Sequence, residues 1–220
     1  MADRITADQI EAALAEMAEP ATNAVLAMPD PAAIGDLEGW SRREASDLAE
    51  IGMIRNDDQS LQVVALLLET FAAQPITTGF SWRFVVALGI DQPFVPFELG
   101  FSPAAGPEDA ALDAMIGADL PSDHGLHVAT FDCGGRAGRH CLRLDLRSPE
   151  TGEPADVGAL WMTAGVACRR TLPKAGETDV LAVAVTPYLD QLLVALPSIY
   201  EVVVGDYLAD LVESAVQARP

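Results

Sequence analysis

The stretch Arg139-His-Cys-Leu-Arg-Leu-Asp-Leu-Arg147 decides how this chain is read. Leu142, Leu144 and Leu146 share one parity; Arg139, Cys141, Arg143, Asp145 and Arg147 share the other. Side chains alternate across a β-strand with period two, so the pattern predicts a strand with one face on a core and the other in solvent. Its neighbours continue in kind. Residues 148–154 read as a turn, 157–172 as a second long strand run with a bend or bulge expected at Gly165, and 173–178 as a hairpin loop. Residues 179–185 return as a third strand. On the other side, Gly134-Gly-Arg-Ala-Gly138 reads as a glycine-rich β-turn between strands. A phosphate cradle is disfavoured there, because phosphate loops feed a helix N-terminus and neither dinucleotide nor P-loop spacing is present.

Working towards the N-terminus, residues 80–88 are aromatic and β-branched and predict another strand, and prolines 93, 96 and 103 break the segment after it. Gly106-Pro107 opens a short helix that ends before Gly117, and residues 119–125 form a polar loop. The first third is helical. Thr6-Ala-Asp-Gln9 and Ser41-Arg-Arg-Glu44 are capping boxes, with Ile10, Leu14 and Met17 at helical spacing after the first. Residues 20–39 read as a loop with one helical turn. A helix over about 58–73 is apolar round nearly its whole circumference: Leu61, Val63, Val64, Leu66, Leu67, Leu68 and Phe71. Such a helix is buried on most faces, either as the central core helix, which is favoured, or as half of an oligomer interface. At the C-terminal end, Thr186-Pro187 caps a helix bearing Leu189, Leu192, Leu193 and Leu196. Ser198-Ile-Tyr-Glu201 reads as a further capping box, and the stripe Val204, Tyr207, Leu208, Leu211 and Ala215 favours helix over a strand at 202–204.

The succession of a long strand ending Thr171-Leu-Pro173, a strand Val180-Leu-Ala-Val-Ala-Val185, then Thr186-Pro187 and an amphipathic helix resembles the closing part of the PsbP-like fold. It is also similar to small uncharacterised proteins common in high-GC actinomycetes. The resemblance covers about residues 139–215 and implies a binding or assembly module without a shared catalytic constellation.

Charge sharpens the functional reading. The 220 residues carry a formal net charge of -20. Nucleic-acid binding displaces counterions with positive charge, so a general nucleic-acid partner is not expected. Residues 1–75 net -10, 76–135 net -7 and 175–220 net -6, whereas 136–174 net +3. One short basic island sits on an acidic chain. No apolar run approaches the roughly 20 residues needed to span a bilayer. The first ten residues lack the basic patch and apolar stretch of a secretory signal, so a cytoplasmic protein with no membrane partner is expected. Cys133, Cys141 and Cys168 are odd in number and have no C-x-x-C spacing, which fits free, buried thiols.

Three constellations bear on chemistry. Asp119, Asp123, His124 and His127, with Asp132 and Cys133 downstream, carry ligand types suited to a divalent metal. A polar loop entering a strand is preferred, because His124 and His127 would face opposite ways. The glycine turn is the second. The third is the arginine strip Arg139, Arg143 and Arg147, with Arg169 and Arg170 on the neighbouring strand. A guanidinium is a planar fork suited to carboxylates, so the strip, with Arg136 close in sequence, is the candidate binding surface, although a solvated face paired with acids of the same chain is the preferred reading.

The expectation is therefore an α+β protein: a helical segment over residues 1–75, then a sheet domain over 76–220 whose antiparallel sheet carries C-terminal helices, the two forming one compact unit. No catalytic residues, metal or cofactor are assigned. The expected function is a non-catalytic adaptor or assembly protein that binds a partner's acidic segment, or a second copy in a homodimer, through the arginine face or the apolar helix 58–73. The alternatives are a metal-dependent enzyme using residues 119–133, and an acidic immunity or inhibitor protein.

Overall fold

A computed structural model describes residues 23–118, 126–147, 159–173 and 175–209. The capping box at Thr6, the helix after it, the loop 119–125, the turn 148–154, and Leu211 and Ala215 of the C-terminal stripe fall outside these residues. Within them lie seven strands: β1 (Ala24–Ala27), β2 (Trp82–Ala87), β3 (Phe94–Pro103), β4 (Leu126–Cys133), β5 (Arg136–Arg147), β6 (Ala159–Leu172) and β7 (Gly176–Thr186). They form one antiparallel sheet in the order β1-β2-β3-β7-β6-β5-β4. Five helices accompany them among the described residues: α1 (Pro31–Ile34), α2 (Leu37–Glu50), α3 (Asp58–Ala73), α4 (Glu108–Met115) and α5 (Leu189–Val204). The class is α+β, as the sequence predicts.

After β3 the chain crosses by way of α4 to the far edge, then meanders back through β4, β5 and β6 so that β7 closes against β3. That crossover places β4 and β1 at the two edges. One face of the sheet carries Phe84, Phe97, Leu99, Leu142, Val166 and Ala182 beneath the Leu192, Leu196 and Ile199 side of α5. Ring stacking of Phe84 on Phe97, with centroids 5.0 Å apart, sits at the centre. The opposite face is covered in two places. At the β1–β2 end, α2 and α3 bury Leu48, Val64 and Leu68 against Leu26 and Val85. At the β5–β7 end, Leu112 and Ile116 of the α4 region cover Cys141 and Ala167.

Several local expectations are corrected by packing. Residues 24–27 are a strand, because the short apolar run Ala24-Val-Leu-Ala27 finds β2 as its partner, with Leu26 opposite Val85. Pro96 does not break β3. It lies opposite Val85 of β2, while the ladder with β7 begins only at Phe97, so the missing N–H has no β7 partner to lose. Gly165 is not a bulge, since its register with β5 and β7 is continuous. A Cβ there would lie 3.2 Å from the Cys141 sulfur and 3.5 Å from Ile116, so the glycine serves the close approach of the α4 end to the sheet. The second face of β5 is accordingly not left to solvent: Cys141 is buried.

Ser41 is not a cap either. Asp36 caps α2 by accepting from the Gly39 amide, and Ser41 lies buried inside the helix. Ser198 likewise sits within α5, which runs unbroken through Pro197. Proline withholds the amide that the Leu193 carbonyl would accept; beside it, Asn23 Nδ2 donates to the Val194 carbonyl and the Ser198 hydroxyl, each at 3.0 Å, and ties this turn to the start of β1. Residues 202–204 are helical, in keeping with the stripe.

Candidate functional site

The arginine strip is divided by the fold. Along β6 the parity of Arg169 matches that of Arg139 and Arg143 on β5, while Arg170 points to the α5 side. There its guanidinium donates to the carbonyls of Val203 (2.9 Å) and Val204, closing the C-terminal end of α5. Arg169 grips Asp179 with two bonds of 2.6 and 2.9 Å and also donates to the Gly106 and Ala105 carbonyls, which fastens the entry to α4. Arg139 meets Asp109 at 2.5 Å and Asp113 at 3.0 Å, and Arg136 meets Glu177 at 2.7 Å. Arg143 pairs with Asp145 of its own strand at 2.8 Å. Arg147 is opposite Ala159 in the β5–β6 ladder, and its side chain is not among those described. An acidic helix that suits the strip is thus present in this chain: α4 offers Asp109 and Asp113 to Arg139.

The second constellation is also dispersed. His127 faces the α5 side of the sheet, Asp132 lies on the exposed side, and Asp119, Asp123 and His124 are outside the described residues. Among the described residues no group of three potential ligands gathers. His127 does meet His140, with ring centroids 5.7 Å apart, and the Tyr200 hydroxyl lies 2.6 Å from His140 Nδ1. Both Nε2 atoms are buried without a hydrogen-bond partner among the described residues. Burial, with His127 beside it, pushes the His140 pKa down to about 4, so the ring is neutral at pH 7. Burial raises the Tyr200 phenol.

The glycine turn is a tight hairpin, Gly134 and Gly135 both taking positive φ (61° and 85°) between β4 and β5. All three cysteines are free and buried. A hydrogen bond between Cys133 and Cys168 lowers the first thiol and, with burial, raises the second. Cys141 faces away from His140 and donates to the Ile116 carbonyl at 3.0 Å.

What remains open is α3. Asp57 caps it, accepting from the Ser60 amide at 2.9 Å and from the Ser60 hydroxyl at 2.8 Å, and these bonds hold its carboxyl below the usual range. Val64, Ala65, Leu68 and Ala72 face the core, but Val63, Leu66 and Leu67 are 51%, 63% and 40% exposed. The helix is therefore apolar round nearly its whole circumference yet, among the described residues, covered on one side only. At its far end, Arg83 of β2 donates to the carbonyls of Phe71, Gln74 and Pro75 at 2.7–2.8 Å and pairs with Glu98 at 2.5 Å. Helix and sheet are locked together by that buried guanidinium.

Beside the exposed row opens a groove of about 630 Å³ between α3 and the β2–β3 turn. Ile54, Val63, Leu67, Phe71 and Phe94 line it, and the Arg55–Asp91 ion pair stands at its rim. Asp91 holds φ at 60°, a left-handed conformation that a non-glycine residue adopts rarely, and Gly89 precedes it at 118°. A second hollow of about 490 Å³ lies on the other flank, between α2 and α3, and includes Leu61 and Leu66. Charges border this surface with acids in excess: Glu38 paired with Arg42, Asp91 paired with Arg55, Glu69, and Asp57 and Asp58 at the start of α3. An apolar ridge between two hollows can receive apolar side chains from an extended or helical segment. The all-apolar helix was visible in the sequence; the turn that walls the groove was not, because it lies about 30 residues downstream. No helix of the described residues is long and apolar enough to cross a membrane. Comparison with protein-family models, curated proteins and solved structures finds no match to this chain.

Proposed function

We propose that this chain is a non-catalytic protein-binding module, an adaptor or assembly factor, whose partner docks on the outer face of α3. The observation that carries this reading is the row Val63, Leu66 and Leu67, exposed beside an apolar groove. Each described arginine of the strip meanwhile meets an acid or a carbonyl of its own chain. The resemblance of residues 139–215 to PsbP-like modules points the same way. Acids along the border favour a partner segment that is apolar at its centre and basic at its flanks.

The double variant Leu66→Ser/Leu67→Ser tests it. Both side chains are largely exposed, so the unfolding midpoint should stay close to that of the native chain. In affinity purification from the native host, a stoichiometric protein should accompany the native chain and be lost from the variant. Recovery of the same protein with both chains, or of none with either, overturns the proposal. Raising salt should weaken the complex, because attraction between a -20 chain and basic flanks is screened.

A further inference from the structure

We propose that two copies of this chain associate through the outer edge of β4, joining their sheets into one continuous antiparallel sheet. This surface is distinct from the α3 groove and rests on different observations. Among the described residues β4 ends the sheet and is eight residues long, against four for β1 at the other end. An open edge presents a row of unpaired amides and carbonyls, which proteins ordinarily protect with lysine, proline, a bulge or brevity. Leu126-His-Val-Ala-Thr-Phe-Asp-Cys133 has none of these. Its ladder with β5 runs without interruption from Leu126 opposite Arg143 to Cys133 opposite Arg136.

A second copy suits this edge by symmetry and by charge. Two identical antiparallel edges meet about a two-fold axis normal to the sheet, which keeps the α5-bearing faces of both copies on one side. Facing residues must then share parity. The two central registers set either Ala129 or Thr130 against the same residue of the partner, with about seven facing pairs in each. In both, Asp132, the strand's single charge, avoids its own counterpart: it meets Leu126 in the first and Val128 in the second. Val128, 39% exposed, and Thr130 are the side chains an added strand would cover on the open face. Two chains of -20 repel, and β4 keeps that repulsion small at the seam: it carries one charge, Asp132, and adjoins the one stretch of sequence that nets positive, where Arg136 and Arg139 pair with Glu177, Asp109 and Asp113.

Molar mass by light scattering, measured on the full chain across micromolar concentrations, tests the proposal. The native chain should approach twice its 23.2 kDa mass, and more readily at higher salt. Val128→Lys/Thr130→Lys should return it to the single-chain mass. Because added lysines reduce the net negative charge, loss of the dimer would report the edge itself. The Leu66→Ser/Leu67→Ser chain should remain dimeric, which separates this contact from the α3 surface. Hydrogen exchange on the native chain, which requires no variant, should show the β4 amides slowing as concentration rises. A native chain of single mass throughout, a lysine variant as dimeric as the native chain, or β4 exchange independent of concentration overturns the proposal.

Discussion

Acidification should weaken this fold through one imidazole. His140 is 7% exposed, packed between His127 of β4 and Tyr200 of α5, and its pKa falls to about 4 from an ordinary value of 6.5. In the unfolded chain the ring regains the ordinary value and takes up a proton near pH 6.5, whereas the folded ring resists until about pH 4. The unfolded state therefore binds more protons between those limits. The contribution is present in full above pH 6.5, is lost as pH falls towards 4, and does not change below that. At about 1.4 kcal/mol per pH unit the whole loss is about 3 kcal/mol, of which about 2 kcal/mol is gone by pH 5. Against a total stability of order 5–15 kcal/mol that is readily measured. Carboxylates also titrate in this range, so the assay is a difference: urea unfolding at pH 7.5 and pH 5 for the native chain and for His140→Asn. Asparagine stays neutral and keeps an acceptor for the Tyr200 hydroxyl. The native chain should lose about 2 kcal/mol more than the variant between the two pH values. Equal losses in both would show that His140 is not held neutral by burial, and the argument would fail.

Two side chains that tie distant elements together give further expected outcomes. Arg83→Met leaves Glu98 without its cation and the carbonyls at the end of α3 without a donor, so it should cost about 3 kcal/mol in urea unfolding. Adding Glu98→Leu should recover part of that loss, and a double variant no more stable than the single would contradict the ion-pair account. Gly138→Ala should cost about 1–2 kcal/mol, because its Cβ would strike the Phe131 ring and drive it off Tyr200, where the centroids lie 4.8 Å apart. A changed near-ultraviolet circular dichroism spectrum should accompany the loss, and an unchanged spectrum would show that the ring is not displaced.

Local pattern carried much of the architecture. Period-two alternation over 139–147 marks a strand that is present as β5, and the apolar run over about 58–73 is present as α3, Asp58–Ala73. Gly134 and Gly135 announce the β4–β5 hairpin because positive φ is nearly free for glycine. Where local signals mislead, a distant segment has changed their meaning. Proline at 96 and at 197 ordinarily interrupts, yet at 96 a ladder starting one residue later removes the need for the missing amide, and at 197 the helix continues within the packing of α5 on the sheet. Gly165 looks like a bulge until the α4 end is laid over it.

The candidate surface shows the same division. Composition and spacing determined that the chain is acidic with one basic stretch, that its sheet is antiparallel and flanked by helices, and that one helix is apolar all round, since each of these depends on residues close in sequence. Tertiary structure alone decided which of those features stay available. Asp109 and Asp113 occupy Arg139 from 30 and 26 residues away, and α2 and the sheet cover only one side of α3. A charge or an apolar side chain is free for a partner only if no other part of its own chain reaches it first, and that depends on how segments distant in sequence pack together.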